Sequence, residues 1–247
     1  MPRLPVVFAL ALAACSTADA PADPLRDSGD ASTRDAARDA APEPLDPLAE
    51  CARLDMPEPR TIADVVARID ALPQPTIYCL MASLPRPLSL VASLSATSLQ
   101  PAVNSNTPRI FVMYEGVSLS VVGGGEGENA VEFGQWITPL RTLKAEIRWP
   151  ITRPLASGVP YQGLVDPGQT ISSCGFCHNG EEEHPTIPGA FVSDALAPGG
   201  LNELAVADLR EVRAACTDES HCAILRALFD YGEVRQGAFD EQVRRGF

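Results

Sequence analysis

The sequence predicts an α+β protein, in which a β-rich, antiparallel and sandwich-like middle domain precedes a small helical C-terminal region. Three observations support this fold class. Short runs rich in β-branched and aromatic residues, separated by turn residues, fill residues 76–149. Apolar residues recur at helical spacing towards the C-terminus. The chain of 247 residues is long enough to enclose a sizeable hydrophobic core.

The composition is typical of a globular protein and excludes several other classes. The apolar fraction is 45% and the charged fraction 21%, and no run of about 18 apolar residues is present to form a membrane-spanning helix. The formal net charge is -13. We therefore expect no nucleic-acid partner, because nucleic acids are held largely through cationic contacts to phosphate. The seven cysteines are an odd number, so at least one of them does not pair within the chain.

The first 14 residues have the layout of a secretory signal peptide. A single arginine precedes an apolar stretch over residues 4–13, which is too short to be a stable membrane span. The stretch ends in Leu-Ala-Ala-Cys at residues 12–15, which resembles the lipobox of bacterial lipoproteins. The resemblance implies an exported lipoprotein whose only membrane contact is the lipid on Cys15. Ser16 implies, by the same resemblance, the outer membrane, facing the periplasm or the cell surface.

Residues 15–48 are predicted to be a lipidated, disordered tether. Asp, Ala and Pro occupy 20 of the 33 positions from 16 to 48, and large apolar side chains are scarce. Such a segment cannot bury enough apolar surface to offset the entropy lost on ordering. We expect it to hold a folded body away from a lipid surface.

Residues 49–150 are predicted to form the β-rich domain with one N-terminal helix. Thr-Ile-Ala-Asp at residues 61–64 opens the helix, and Pro73 closes it. The strands that follow are expected to form a sheet with one wet face, because the last of them alternates polar and apolar residues. The predicted strand runs are residues 76–84, 87–94, 109–115, 117–122, 130–136 and 143–149.

Residues 151–247 are predicted to be a loop followed by helices. Prolines and glycines are frequent up to residue 200, and helical spacing follows over residues 202–215 and 220–231. The acidic run at residues 181–183 is interpreted as a solvated surface. No hydrolase or phosphate-loop motif occurs, so we expect an electron carrier or binding protein more than a catalyst.

One motif in this region carries specific chemistry. Residues 173–178 read Ser-Cys-Gly-Phe-Cys-His, in which two thiols on one helical turn can meet the two vinyl groups of a haem. In an exported bacterial protein this Cys-x-x-Cys-His pentapeptide resembles the attachment motif of c-type cytochromes. The resemblance implies one haem c bound covalently through Cys174 and Cys177, with His178 as an axial iron ligand. It also implies electron transfer with an unknown redox partner.

The second axial ligand cannot follow the common single-haem pattern, because every methionine precedes the motif. His221, which lies 43 residues after His178, is the first choice for this ligand. The alternatives for this second ligand are His184, Met81 and Met113. An iron with five ligands, and so without a second axial ligand, is a further possibility.

Three other interpretations use the same residues. The motif is also similar to that of thioredoxin-like disulfide isomerases, which implies a thiol–disulfide oxidoreductase using Cys174 and Cys177, although Asn-Gly at residues 179–180 would break the helix that must follow. The second interpretation is a disulfide-stabilised β-domain lipoprotein, in which Cys174 and Cys177 form a structural disulfide. Zinc is the third, with His184 as the nearby further ligand.

The remaining four cysteines suit an oxidising compartment. Cys216 and Cys222 flank the turn between the two predicted C-terminal helices, so we expect a local disulfide between them. Cys51 and Cys79 are then left to pair with each other. Together with the lipid anchor and the haem motif, these pairs assign all seven cysteines.

Overall fold

The computed structural model describes residues 46–217 and 220–246. The described residues belong to one compact unit. The predicted signal peptide, residues 1–14, lies outside them, as does the predicted tether apart from its last three residues. Within the described ranges, no helix is both long enough and apolar enough to cross a membrane.

Three helices precede the first strand, where the sequence predicts one. They are α1 (Pro47–Ala52), α2 (Ile62–Ala71) and α3 (Ile77–Ser83). Helix α2 begins at the predicted capping box. The Thr61 hydroxyl accepts a hydrogen bond from the amide of Asp64 at 3.1 Å, and the Asp64 carboxylate accepts one from the amide of Thr61 at 2.9 Å.

The prediction of a strand over residues 76–84 is wrong, because this segment forms α3. Thr76 caps the helix by accepting a hydrogen bond from the amide of Cys79 at 3.1 Å. Every residue of the helix except Tyr78 is buried. The run is therefore apolar on nearly all sides, and a short, continuous apolar run does not distinguish a buried helix from a buried strand.

A large mixed sheet follows the helices. The strands are β1 (Leu88–Ser93), β2 (Arg109–Met113), β3 (Val117–Val122), β4 (Ala130–Thr138), β5 (Arg141–Arg148), β6 (Glu182–Glu183), β7 (Phe191–Asp194), β8 (Leu196–Ala197), β9 (Glu203–Leu204), β10 (Val234–Gln236) and β11 (Arg244–Arg245). Nine of them form one sheet in the order β10-β1-β2-β3-β4-β5-β7-β6, with β9 also paired to β1. Strands β1 to β5 are an antiparallel meander, whereas β10 is parallel to β1.

The two faces of this sheet have different partners. We call the face that packs against the helices the helical face. Helices α4 (Val206–Ala215) and α5 (Ser220–Phe229) confirm the predicted C-terminal helical region. Apolar side chains of the sheet share one buried cluster with side chains of α2, α3 and α5. Members of this cluster include Leu90, Ile110, Leu119, Val131, Leu143, Ile69, Leu80, Leu225 and Leu228.

The opposite face, which we call the polar face, carries charged and hydroxyl side chains of β2 to β5. Part of it is covered by a small apolar cluster in which C-terminal residues pack on β1 and β2. The rings of Phe111 and Phe239 meet edge to face with their centroids 5.4 Å apart. Residues after 150 thus complete the same sheet that residues 88–148 begin. The α+β class is confirmed, and the only second sheet among the described residues is the parallel pair of β8 with β11.

Candidate functional site

The Cys-x-x-Cys-His motif lies on a short helical turn. Ser173–Phe176 form a 3₁₀ turn, and the amide of His178 donates to the carbonyl oxygen of Cys174 at 2.9 Å. Ser172 caps this turn, because its hydroxyl oxygen accepts hydrogen bonds from the amides of Cys174 at 3.1 Å and Gly175 at 3.2 Å. Both cysteines and the histidine are therefore presented by one backbone turn.

Glu181 holds the capping serine in place. Its carboxylate accepts a hydrogen bond from the amide of Ser172 at 2.7 Å and a second from the Ser172 hydroxyl. A Cβ at position 175 would lie 2.8 Å from Glu181 Oε1, so Gly175 leaves room for this carboxylate. This role of Glu181 was not predicted, because nothing in the acidic run at residues 181–183 distinguishes it from its two neighbours.

The turn packs over the polar face of the sheet and closes one side of a cleft of about 110 Å³. Cys174 and Cys177 are half-buried, and neither is bridged. The Sγ atom of Cys177 lies 3.6 Å from the carbonyl oxygen of Thr97, in the segment that covers the opposite side. The cleft lining includes Thr97, Ser98, Leu99, Arg109, Glu132, Cys174, Cys177 and His178.

A hydrogen bond to the backbone of β7 fixes the imidazole of His178. Its Nδ1 lies 2.8 Å from the carbonyl oxygen of Asp194. Because a carbonyl oxygen only accepts, Nδ1 carries the proton and Nε2 keeps a free lone pair. Burial, followed by the positive charge of Lys144, lowers the pKa of His178 to about 3. The ring is therefore neutral at pH 7, the state in which histidine binds metals.

Lys144 lies beside this histidine and was not predicted as a site residue. Its Nζ donates to Thr142 Oγ1 at 2.7 Å and to the Asp194 carbonyl oxygen at 3.3 Å, and lies 3.2 Å from His178 Nδ1. Since Nδ1 also carries a proton, the lysine and the histidine are two donors to one carbonyl. Burial lowers the pKa of Lys144 to about 8. The one feature of the sequence that sets this residue apart is its rarity, because it is the one lysine among 19 cationic residues.

An ion pair lies on the β-strands that line the cleft. The guanidinium of Arg109 binds the carboxylate of Glu132 and donates to Ser120 Oγ at 2.7 Å and Ser98 Oγ at 2.8 Å. Gln100 accepts a hydrogen bond from Ser120 at 2.7 Å. In the part of the chain that the structure describes, Glu132 Oε1 is buried without a hydrogen-bond partner. The pair holds two charges beside the motif in a partly desolvated environment.

The structure contains both predicted disulfides. Cys51 and Cys79 connect α1 to α3 with their sulfur atoms 2.07 Å apart. Cys216 and Cys222 connect the end of α4 to α5 with their sulfur atoms 2.19 Å apart. Sequence proximity was sufficient to identify these pairs, because each joins consecutive or nearly consecutive helices.

His221, the predicted second axial ligand, is not brought to the cleft. It lies on α5 next to Gly123, where a Cβ built on that glycine would be 3.3 Å from the Cβ of His221. Helix α5 packs on the helical face of the sheet, whereas His178 lies on the polar face with Lys144. His221 is not among the residues that line the two cavities beside His178.

The other residues considered for this ligand also lie elsewhere. Met81 is fully buried in α3, and Met113 packs with the apolar cluster that contains Phe239. His184 uses its Nδ1 to accept a hydrogen bond from the amide of Ile187 at 3.2 Å. None of these three side chains lines the cleft around His178.

The zinc interpretation gains no support from the described residues. Among them, the one group of three metal-binding side chains with ligand atoms within 4.8 Å of one another is Cys216, His221 and Cys222. Two of its three members are already joined as a disulfide. The ligand atoms of Cys174, Cys177 and His178 do not all lie within that distance of one another.

No protein-family model matches the chain, and neither the curated proteins nor the solved structures contain a match. Function is therefore inferred from the chemistry and geometry of the cleft itself.

Proposed function

We propose that the protein is an exported lipoprotein that carries one haem c on Cys174, Cys177 and His178 and transfers electrons. The observation that carries this proposal is the hydrogen bond from His178 Nδ1 to the Asp194 carbonyl. It leaves Nε2 free to bind a metal, on the same turn as two unbridged cysteines. A metal-binding histidine almost always has its other ring nitrogen oriented by such an acceptor.

The donor atoms fit a haem, but the cleft must open to admit one. Its volume of about 110 Å³ is below the roughly 300–1,000 Å³ typical of small-molecule sites. The covering segment, residues 94–103, is held together by the backbone pairing of Ser95 with Ala102. Attachment at Cys177 requires this segment to lie further from the Cys177 sulfur than it does here.

Each residue of the turn has a distinct role in this proposal. The bound haem would supply an iron that accepts and releases one electron. Cys174 and Cys177 would hold the ring through thioether bonds, and His178 would bind the iron through Nε2. The Asp194 carbonyl fixes the tautomer and orientation of His178, while Ser172 and Glu181 hold the backbone turn.

The two competing interpretations of the thiols have less support. Burial, and next the charge of Glu132, raise the pKa of Cys174 to about 11. A redox-active thiol requires the opposite shift, usually at the N-terminus of a longer helix. The structural disulfide has no support either, because both cysteines are unbridged.

Export and lipid anchoring complete the proposal. Two disulfides favour an oxidising compartment, where haem c is also attached. Cys15 lies outside the described residues and is proposed as the lipid anchor on sequence grounds, with the outer membrane as destination. The redox partner is a protein or small molecule that exchanges one electron.

The test is to express the full chain in a bacterium that has a haem c maturation system. We expect a c-type pyridine haemochrome spectrum and a mass increase of one haem. Both should be lost in Cys177→Ser. The double variant Cys216→Ala/Cys222→Ala removes two cysteines away from the cleft and should keep the haem. A wild-type protein with neither signal would overturn the proposal.

Lipidation is tested separately in the same host. Cys15→Ala should move the protein from the membrane fraction to the soluble fraction, because the proposed lipid is the only membrane contact. Ser16→Ala is the matched control and should stay with the membrane. Recovery of the wild type in the soluble fraction would contradict the anchor while leaving the haem proposal untouched.

A further inference from the structure

A second cavity, of about 70 Å³, lies between the motif turn and the polar face of the sheet. We call it the lysine cavity, since its lining includes Lys144, the one lysine among 19 cationic residues. Cys174, His178, Arg109 and Glu132 line both this cavity and the cleft, so the two spaces adjoin. The proposed function assigns no role to the space itself.

A glycine on β4 leaves room for the lysine cavity. Strand pairing places Gly134 between Ser118 of β3 and Lys144 of β5, and all three residues line the cavity. A Cβ built at Gly134 would lie 3.1 Å from Ser118 Oγ and 3.5 Å from the side chain of Thr142. Any other residue at position 134 would therefore begin to fill the space.

A buried positive charge lines one part of the lysine cavity. Lys144 is 6% exposed, and its Nζ donates to Thr142 Oγ1 at 2.7 Å and to the carbonyl oxygen of Asp194 at 3.3 Å. Because Thr142 Oγ1 accepts from the lysine, the proton of this hydroxyl can be donated to a further acceptor. The ammonium and the hydroxyl are therefore two adjacent donors in the cavity wall.

The charges around the lysine cavity leave one cation in excess. Arg109 and Glu132 line it as well, but they form an ion pair with each other. Among the described residues, no carboxylate forms a salt bridge with the ammonium of Lys144. A buried charge without a counterion is unfavourable, so a bound anion would stabilise this arrangement.

Aromatic side chains line another part of the lysine cavity. Phe111, Trp136 and Phe239 all contribute to its wall, and they belong to the apolar cluster on the polar face. The cavity therefore combines a cation and hydroxyl groups with an apolar surface. A ligand that matches both parts carries one negative charge and a short alkyl chain.

We propose that the lysine cavity binds a short-chain monocarboxylate. The carboxylate accepts hydrogen bonds from the Lys144 ammonium and the Thr142 hydroxyl, and the alkyl chain packs against Trp136 and Phe239. A cavity of about 70 Å³ has room for roughly five water molecules, which corresponds to an anion of about the size of propionate. This inference does not rest on the proposed haem.

The test is calorimetric titration of the full-length protein with sodium propionate at constant ionic strength. We expect saturable binding to the wild type. Lys144→Met should weaken this binding about tenfold or more, because it removes the charge that pairs with the carboxylate. Arg148→Gln is the matched control, since it removes an exposed cation from the same strand and should keep the wild-type affinity. Propionamide, which has the same size and no charge, should bind about tenfold more weakly or not at all.

A second variant tests the space instead of the charge. Gly134→Ala keeps Lys144 but adds a methyl group beside Ser118 and Thr142, so it should also weaken propionate binding. If Lys144→Met does not fold, unchanged affinity in Gly134→Ala overturns the inference.

The remaining outcomes are equally decisive. No saturable binding to the wild type overturns the inference, and so does equal binding of propionate and propionamide. Equal affinities of Lys144→Met and Arg148→Gln for propionate would place the anion elsewhere and overturn it as well. The haem spectrum of the same preparation is recorded separately. A protein without haem that binds propionate contradicts the proposed function alone, whereas a haem-loaded protein that does not bind propionate contradicts only this inference.

Discussion

The hydrogen bond between His178 and the Asp194 carbonyl links the chemistry of one residue to the stability of the fold. The ring is half-buried as a neutral group, and a histidine that folding holds neutral makes stability pH-dependent. The pKa of His178 is about 3 in the folded state, whereas the unfolded value is about 6.5. The unfolded chain therefore binds this proton more readily than the folded one.

We expect haem-free protein to lose stability as the pH falls below about 6.5. The contribution of His178 is fully present above that pH and is lost progressively towards pH 3. Between pH 7 and pH 4.5 the loss should be roughly 2–3 kcal/mol. Urea unfolding of wild type and His178→Asn at both pH values measures it. An equal decrease in the two proteins would contradict the assignment.

Glu181 should contribute more to stability than its acidic neighbours. Glu181→Ala removes both acceptors of the buried Ser172, which should cost about 1–3 kcal/mol and speed alkylation of the motif cysteines in haem-free protein. Glu183→Ala, at an exposed position nearby, should change the unfolding free energy by less than about 0.5 kcal/mol. Urea unfolding and iodoacetamide labelling compare the two. Similar effects in both variants would contradict the role of Glu181 in holding the motif turn.

At the residue scale, the sequence indicates the cysteines and histidine of the motif better than the groups that hydrogen-bond to the motif turn. The two thiols and the histidine of the motif are visible as a local pattern, because they lie within five consecutive residues. The Asp194 carbonyl cannot be predicted, since any residue supplies a carbonyl. Glu181 and Lys144 reach the motif only through the folded chain, from a loop and from a strand 34 residues away.

At the scale of elements, the antiparallel meander follows the sequence closely. The runs predicted over residues 87–149 end within two residues of the observed strands, because turn residues bound each one. Strand β10 was not predicted. It has three residues, and its pairing with β1 joins positions that are far apart in sequence. Helix α4 begins later than predicted, because Glu203–Leu204 instead pairs with β1 as β9.

The two disulfides should differ in their contribution to stability. In the chain-entropy description, a bridge across 28 residues contributes about 3.6 kcal/mol and one across 6 residues about 2.2 kcal/mol. Cys51→Ala/Cys79→Ala should therefore destabilise more than Cys216→Ala/Cys222→Ala. Urea unfolding of the two double variants makes the comparison. The reverse order would mean that strain or packing dominates over loop length.

At the scale of the whole molecule, the C-terminal residues act as a cover for the polar face. Phe239 is 9% exposed and packs on Phe111, whereas Phe176 in the motif is 70% exposed. Phe239→Ala should destabilise haem-free protein by about 3 kcal/mol, and Phe176→Ala by less than about 1 kcal/mol. Thermal or urea unfolding of this matched pair measures how much the packing of Phe239 on the polar face contributes to the unfolding free energy. Equal losses would show that the C-terminal segment is not part of the cooperative fold.

The position of β1 sets an order of events during folding. On one side β1 pairs with its neighbour in sequence, but on the other side its partners are β9 and β10, which come from residues 203–236. Residues 196–198 and Gly246 also line the cleft, so the cleft closes only after nearly the whole chain has emerged. In the proposed function, this timing would let the haem c maturation system of the host reach the motif while it is still part of an open chain, before residues 94–103 pack over Cys177.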